Sequence, residues 1–113
     1  MSSRSPKLYV DDILQASRDI LDFTKGMGDA EGLGKDRRTY LAVVRSLEVI
    51  GEAARQMPRG FKSEHPEIPW REVASLRNII AHEYFGLDNE IIWDAIKTQI
   101  PELIERFQGL KVE

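Results

Sequence analysis

At 113 residues the chain has room for one domain, residues 1–113, around a single core. With 42% hydrophobic and 31% charged residues it has the composition of a soluble globular protein. Its net charge of −3 argues mildly against a nucleic-acid partner, and the absence of cysteine excludes a disulfide framework and a thiolate metal site.

The first residues, Met1-Ser-Ser-Arg-Ser-Pro6, have no apolar stretch behind them, so no signal peptide is expected. Tyr40 to Val44, the densest apolar run, is far too short to span a bilayer. With the lack of cysteine, this fits a cytoplasmic protein. The charge is unevenly spread. Lys35 to Arg77 holds nine Lys/Arg against six Asp/Glu, and the rest of the chain seven against thirteen. A basic middle can form a local phosphate-binding surface within an acidic protein, above all if two copies come together, although a helical surface that merely mixes its charges reads the same way.

In chain order, Ser5-Pro6 opens a helix as N-cap and first-turn proline. Tyr9, Ile13, Ala16, Ile20 and Phe23 follow at helical spacing, flanked by Leu14 and Leu21. Gly26 to Gly34 is read as a flexible glycine-rich connector. It misses the P-loop pattern, because Asp36 stands after Lys35 where Ser or Thr is required and no strand precedes it. A second helix is predicted from Asp36, as N-cap, to about Met57, with Tyr40, Val43, Val44, Leu47, Ile50, Gly51 and Ala54 in one stripe, closed by Pro58 and Gly60. Arg45 and Glu52, seven apart, share a side of it; they could line a cleft, but a structural charge network is the simpler reading. Phe61 to Ile68 is expected to be a loop with His65 solvated and without a role.

A third helix is expected from Pro69-Trp70 to about Glu83, ahead of Gly86. Asp88 then caps a fourth, along which Ile92, Ile96, Leu103 and Phe107 share a face with Trp93, Ile100 and Ile104. Pro101 inside that pattern should kink the helix or split it. Both tryptophans, set among aliphatics, are read as core anchors. Nothing alternates as a strand does, so the fold class is all-α, an up-and-down bundle of four to five helices.

The residues that carry chemistry are Arg77-Asn78-Ile79-Ile80-Ala81-His82-Glu83-Tyr84. On a helix advancing about 100° per residue, Asn78 and His82 share a face and Arg77 and Tyr84 nearly align. Arg77 and His82 lie roughly 140° apart with about 7.5 Å of rise, a gap that a long arginine leans across or that two chains share. Such a set suits attack of an RNA 2′-hydroxyl on its neighbouring phosphate. A histidine's ordinary pKa, about 6.5, suits His82 to move the proton and a lasting charge suits Arg77 to stabilise the phosphorane, while Asn78 could orient the ring and Tyr84 could contact phosphate or base. On spacing alone, an amphipathic helix with a solvated polar edge accounts for the same residues. Two histidines, without a paired carboxylate–histidine spacing, leave no metal site in view, and no cofactor is implied.

Arg77-x4-His82-x-Tyr84 resembles the R-x(4–6)-H-x-Y signature of the HEPN ribonucleases. The segments Arg45-Ser-Leu-Glu-Val-Ile-Gly-Glu-Ala-Ala54, Ile68-Pro-Trp-Arg71, Leu76-Arg-Asn78 and Tyr84-Phe-Gly-Leu-Asp88 are similar to the HepT branch, so the resemblance runs from about Tyr9 to Phe107. It implies a homodimer with the two motif-bearing faces opposed across a cleft. It also implies a metal-independent RNA-cleaving toxin of a type VII toxin–antitoxin system, with Arg77 and His82 in the catalytic positions. The implied partner is a minimal nucleotidyltransferase antitoxin, MntA-like, which transfers AMP onto the motif tyrosine, here Tyr84. A non-catalytic helical subunit that presents substrate to a nucleotidyltransferase is the competing reading.

Overall fold

The computed structural model describes residues 4–78 and 88–110, and every regular element among them is helical. Helix α1 spans Pro6–Phe23, α2 Ala30–Lys35, α3 Arg37–Gln56, α4 Arg59–Glu64, α5 Trp70–Ala74, α6 Asp88–Asp94 and α7 Ile100–Gln108. A tight 3-10 turn over residues 75–78 continues α5, and a π-helical turn, Ala95–Gln99, joins α6 to α7. None of the described helices is long and apolar enough to cross a membrane.

The scaffold is α1 laid against α3 and α7. From α1, Tyr9, Val10, Ile13, Ala16 and Ile20 meet Tyr40, Val43, Leu47, Ile50 and Ala54 of α3 and Ile100, Leu103 and Phe107 of α7 in one buried cluster. Burial of each larger side chain contributes roughly 1.5–3 kcal/mol, enough together to fix the helices' rotation. The buried polar residues of α1 and its C-terminal cap bond back to the helix: Ser17 donates to the Ile13 carbonyl at 2.7 Å and Thr24, just past the helix end, to that of Ile20 at 2.8 Å. The predicted stripe fails at its last member. Phe23 lies past the end of the packed face and is 40% exposed. Gly26, at φ +88°, then turns the chain where a side chain would be strained.

The two connectors hold more structure than their composition announces. Within 26–34, the Asp29 carboxylate accepts from the Gly32 N–H at 2.8 Å, a capping bond that starts α2 despite its glycines. Leu33 is fully buried and Lys35 pairs with Glu31 one turn back. Helix α2 packs on α6 and α3, so this segment is part of the core and not a free tether. The Asp36 cap is as expected, its carboxylate accepting from the Thr39 N–H at 3.1 Å and from the Thr39 hydroxyl at 2.8 Å.

Beyond α3 the chain turns at Met57 and Pro58 into α4, where a loop was expected from Phe61. The Lys62 ammonium donates to the Arg55 carbonyl and ties α4 to the end of α3. His65 is not a solvated loop residue. Its side chain is 22% exposed, its ring lies 4.5 Å from that of Phe61, and Nδ1 stands 3.1 Å from Glu67. The Trp70 indole N–H donates to the His65 carbonyl at 2.9 Å, and its ring packs edge-on against Phe61 and Phe107. Arg106 of α7 donates to the Glu67 carbonyl. The residues leading into α5 are thus pinned to α7 before α5 begins.

The helix that Pro101 was expected to kink or split is divided without being broken. The Ile100 N–H reaches back five residues to the Ala95 carbonyl, and the widened turn precedes the proline, whose ring would clash with a carbonyl four residues back in a regular helix. Ile92, Ile96, Ile100, Leu103 and Phe107 stay on the buried side throughout. Trp93 is half-buried against the core with the Lys97 ammonium 4.9 Å from its ring centroid.

Candidate active site

Helix α5 is short, and its register sets the site. Val73 and Leu76 are buried, Trp70 is held by α7, and the chain tightens at Ser75, whose hydroxyl donates to the Glu72 carbonyl. The third predicted helix therefore departs from regular α geometry at Ser75, and Arg77 and Asn78 sit in a 3-10 turn. Such a turn advances about 120° per residue, against about 100° in an α-helix. His82 and Tyr84 lie outside the described residues, as do Ile79 and Ile80.

Arg77 is brought to α3 by a close approach of backbones. Helix α3 has glycine at 51, and a Cβ there would stand 2.7 Å from the Arg77 Cβ and 2.8 Å from both the Arg77 nitrogen and the Ala74 carbonyl oxygen. A glycine inside a helix costs about 1 kcal/mol relative to alanine, so its presence marks a place where two backbones must touch. The next residue, Glu52, accepts from the Arg77 Nη1 at 2.7 Å.

That carboxylate has its own supports. Arg55, one turn on, donates Nη2 to Oε2 at 2.8 Å and Nε to Oε1 at 3.3 Å, and Gln56 donates to Oε2 at 2.8 Å. The hydrogen bonds from Arg55 and Gln56, with Arg77 adding to them, hold the Glu52 carboxyl at about 2, well below the usual carboxylate range. Arg55 in turn is raised by its bond to Glu52.

Arg77 and Asn78 open onto a cleft of about 740 Å³, walled by Glu48, Glu52 and Gln56 of α3 and by Tyr9 and Asp12 of α1. Arg4 closes one side, its guanidinium 2.7 Å from Asp12 and 4.9 Å from the Tyr9 ring centroid. Arg45 lines the same cleft and the smaller hollow beside it, with Asp12, Gln15 and Asp19. Glu52 and Arg45 are both cleft residues as well as neighbours on α3, and Glu52 also belongs to a charge network, so the two roles weighed from sequence coexist. Arg77 remains 42% exposed at its side chain while paired. The site can therefore offer a fixed, solvent-reachable guanidinium to a phosphate. Among the described residues no group of three or more His, Cys, Asp or Glu is placed to hold a metal ion.

Of the residues expected to form the site, Arg77 and Asn78 are brought to one wall. What the sequence reading missed is the contact beneath them: Gly51, which lets the turn approach, and the bond from Arg77 to Glu52, whose carboxylate Arg55 and Gln56 support. The spacings from 52 to 55 and from 52 to 56 are those of neighbours on a helix and were legible; the contact from 52 to 77 was not.

Comparison with known proteins places the chain in a family. A family model described as "Ribonuclease HepT-like" matches residues 13–109. A protein of Thermococcus cleftensis named "Probable ribonuclease HepT" is 44% identical over 108 residues, covering 96% of this chain and 97% of its own. The "Putative RNase MJ0127" of Methanocaldococcus jannaschii is 42% identical over 110 residues, covering 97% of this chain and 90% of its own. No solved structure matches the chain.

Proposed function

This chain belongs to the HepT-like ribonuclease family, and from that premise we propose that it is a metal-independent endoribonuclease whose cleft seats an RNA phosphate on Arg77. The observation that carries the reading is the Arg77 guanidinium, held by Glu52 at the mouth of the cleft and still open to solvent.

In the proposed reaction the RNA 2′-oxygen forms a bond to the adjacent phosphorus and the bond from phosphorus to the 5′-oxygen breaks, leaving a 2′,3′-cyclic phosphate and a 5′-hydroxyl. A proton leaves the attacking hydroxyl and one is delivered to the departing oxygen. His82 is assigned one of these transfers. Arg77 meets the charge that accumulates on the phosphorane oxygens, where a fixed donor stabilises the transition state more than the substrate. Asn78, beside Arg77 on the cleft wall, is assigned an orienting role.

The family resemblance supplies the rest of the proposal. The protein acts in the cytoplasm as the toxin of a type VII toxin–antitoxin system and as a homodimer, with two clefts facing each other. A minimal nucleotidyltransferase antitoxin, MntA-like, silences it by transferring AMP to Tyr84. An AMP group there brings a phosphodiester charge within the same motif as Arg77, where it competes with RNA for the guanidinium and repels the incoming strand.

The test is cleavage of labelled cellular RNA in EDTA by protein shown by intact mass to be unmodified at Tyr84, beside His82→Ala and Arg77→Ala. Cleavage by the wild type and none by either variant is expected. If folded, unmodified wild type leaves all RNA intact, the enzyme reading falls and a helical subunit serving a nucleotidyltransferase becomes the better account.

A further inference from the structure

Arg77 has five N–H donors, of which Glu52 takes one, on Nη1. Among the described residues no acceptor takes any of the others. The Nε and Nη2 hydrogens form the parallel pair that grips a phosphate through two oxygens, and none of the described residues occupies this edge. A carboxylate that engaged this edge would compete with RNA; one that holds Nη1 alone steers the group without occupying it.

The carboxylate is also kept from neutralising the site. Arg55 and Gln56 hold it from its own helix, so its orientation does not depend on Arg77. Arg55 supplies a second positive charge to the same carboxylate, and the group of Arg55, Glu52 and Arg77 keeps a net charge of about +1. Gly51 fixes the Arg77 backbone against α3 at one end of the side chain, and Glu52 fixes the guanidinium at the other.

From this geometry we infer that Glu52 is a positioning residue for Arg77, holding the guanidinium by Nη1 so that its Nε–Nη2 edge faces an RNA phosphate. The inference rests on the proposed ribonuclease reading for its substrate, and on the contacts of Glu52 alone for the positioning. Glu52 itself touches no reacting atom. Its loss leaves Arg77 present and charged but free to swing, which costs catalytic rate more than affinity, since small misplacements of a catalytic group cost up to about 100-fold.

Two measurements test it. The first is single-turnover and steady-state cleavage of a labelled RNA by Glu52→Gln and Glu52→Ala, each made in the wild type and in Arg77→Lys, with folding checked by helical circular dichroism. Expected is a fall in kcat of about 10- to 100-fold with KM within about 3-fold in the wild-type background, and a change of under about 2-fold in the Arg77→Lys background. Full activity in both Glu52 variants, a loss confined to KM, or an equal loss in both backgrounds overturns the inference. The second needs no activity. The 15N-resolved Nη signal of Arg77, identified by its disappearance in Arg77→Lys, is expected to average several-fold faster by rotation about the Nε–Cζ bond in Glu52→Gln, and an unchanged rate overturns the inference. If the wild type cuts no RNA while this signal depends on Glu52, the positioning stands and the ribonuclease reading falls.

Discussion

Gly51 and Arg77 meet with no space for a methyl group between them: a Cβ on residue 51 would stand 2.7 Å from the Arg77 Cβ and 2.8 Å from its backbone nitrogen. These are not the yielding tips of long side chains. Any side chain at 51 must push the turn that carries Arg77 away from α3, and with it the guanidinium away from Glu52.

Gly51→Ala is therefore expected to lower stability by about 1–3 kcal/mol, despite the better helix propensity of alanine, and to reduce RNA cleavage beyond what the stability loss explains. Gly60→Ala is the matched control. Nothing lies within 4 Å of a Cβ added there, and a gain of about 0.4–1 kcal/mol is expected. Urea midpoints of both variants check the pair.

Arg45 takes part in no ion pair among the described residues, though it lines the cleft beside the Glu52–Arg77 pair. Arg45→Ala is expected to raise KM for RNA several-fold with kcat little changed. The slope of log affinity against log salt should fall by about one, as for a single lost phosphate contact. A kcat loss as large as that of Arg77→Ala would contradict this division of labour.

Leu33→Ala separates a packed α2 from a free connector. Leu33 is fully buried, and its truncation is expected to cost about 2–5 kcal/mol by thermal or urea unfolding, where a tether would lose almost nothing.

The pH dependence of folding carries a signature of Glu52. Its folded value, about 2, lies below the ordinary 4.5, so its contribution is present in full above about 4.5 and is lost as pH falls toward 2. Glu52→Gln is expected to flatten the acid limb of the stability profile between those limits and to leave stability above pH 5 without added slope. Its side chain is 41% exposed, so solvent screening keeps the effect small. For the same reason, an acid limb in activity above pH 5 belongs to a group other than Glu52.

Much of the scaffold was legible because periodicity and capping act locally. Asp36 caps α3 as its position before an apolar stripe predicts, and Ile13, Leu47 and Phe107 fall on the faces their spacing assigns. Helices α2 and α4 were not, because each is a single short stretch rich in residues that discourage helix, stabilised by Asp29 in one case and by packing of Phe61 against Trp70 in the other. At the site, residue types named Arg77 and Asn78, and resemblance placed them in a motif. The partnership of Glu52 with Arg77 spans twenty-five positions and has no periodic trace. Its nearest sign was Gly51, a residue that a helix stripe tolerates poorly and that nevertheless stands in one.

The two indoles give the molecule an optical reporter. Trp70 begins the segment that ends in Arg77, lies edge-on to Phe61 and Phe107, and has its N–H bonded to the His65 carbonyl. Trp93 lies on another helix, beneath Lys97. Replacing Trp93 with phenylalanine would leave one emitter at the root of the Arg77 turn. Its fluorescence wavelength would follow water entering that joint, so seating of RNA, the proposed adenylylation or loss of the Glu52 contact could each be watched in real time without a label.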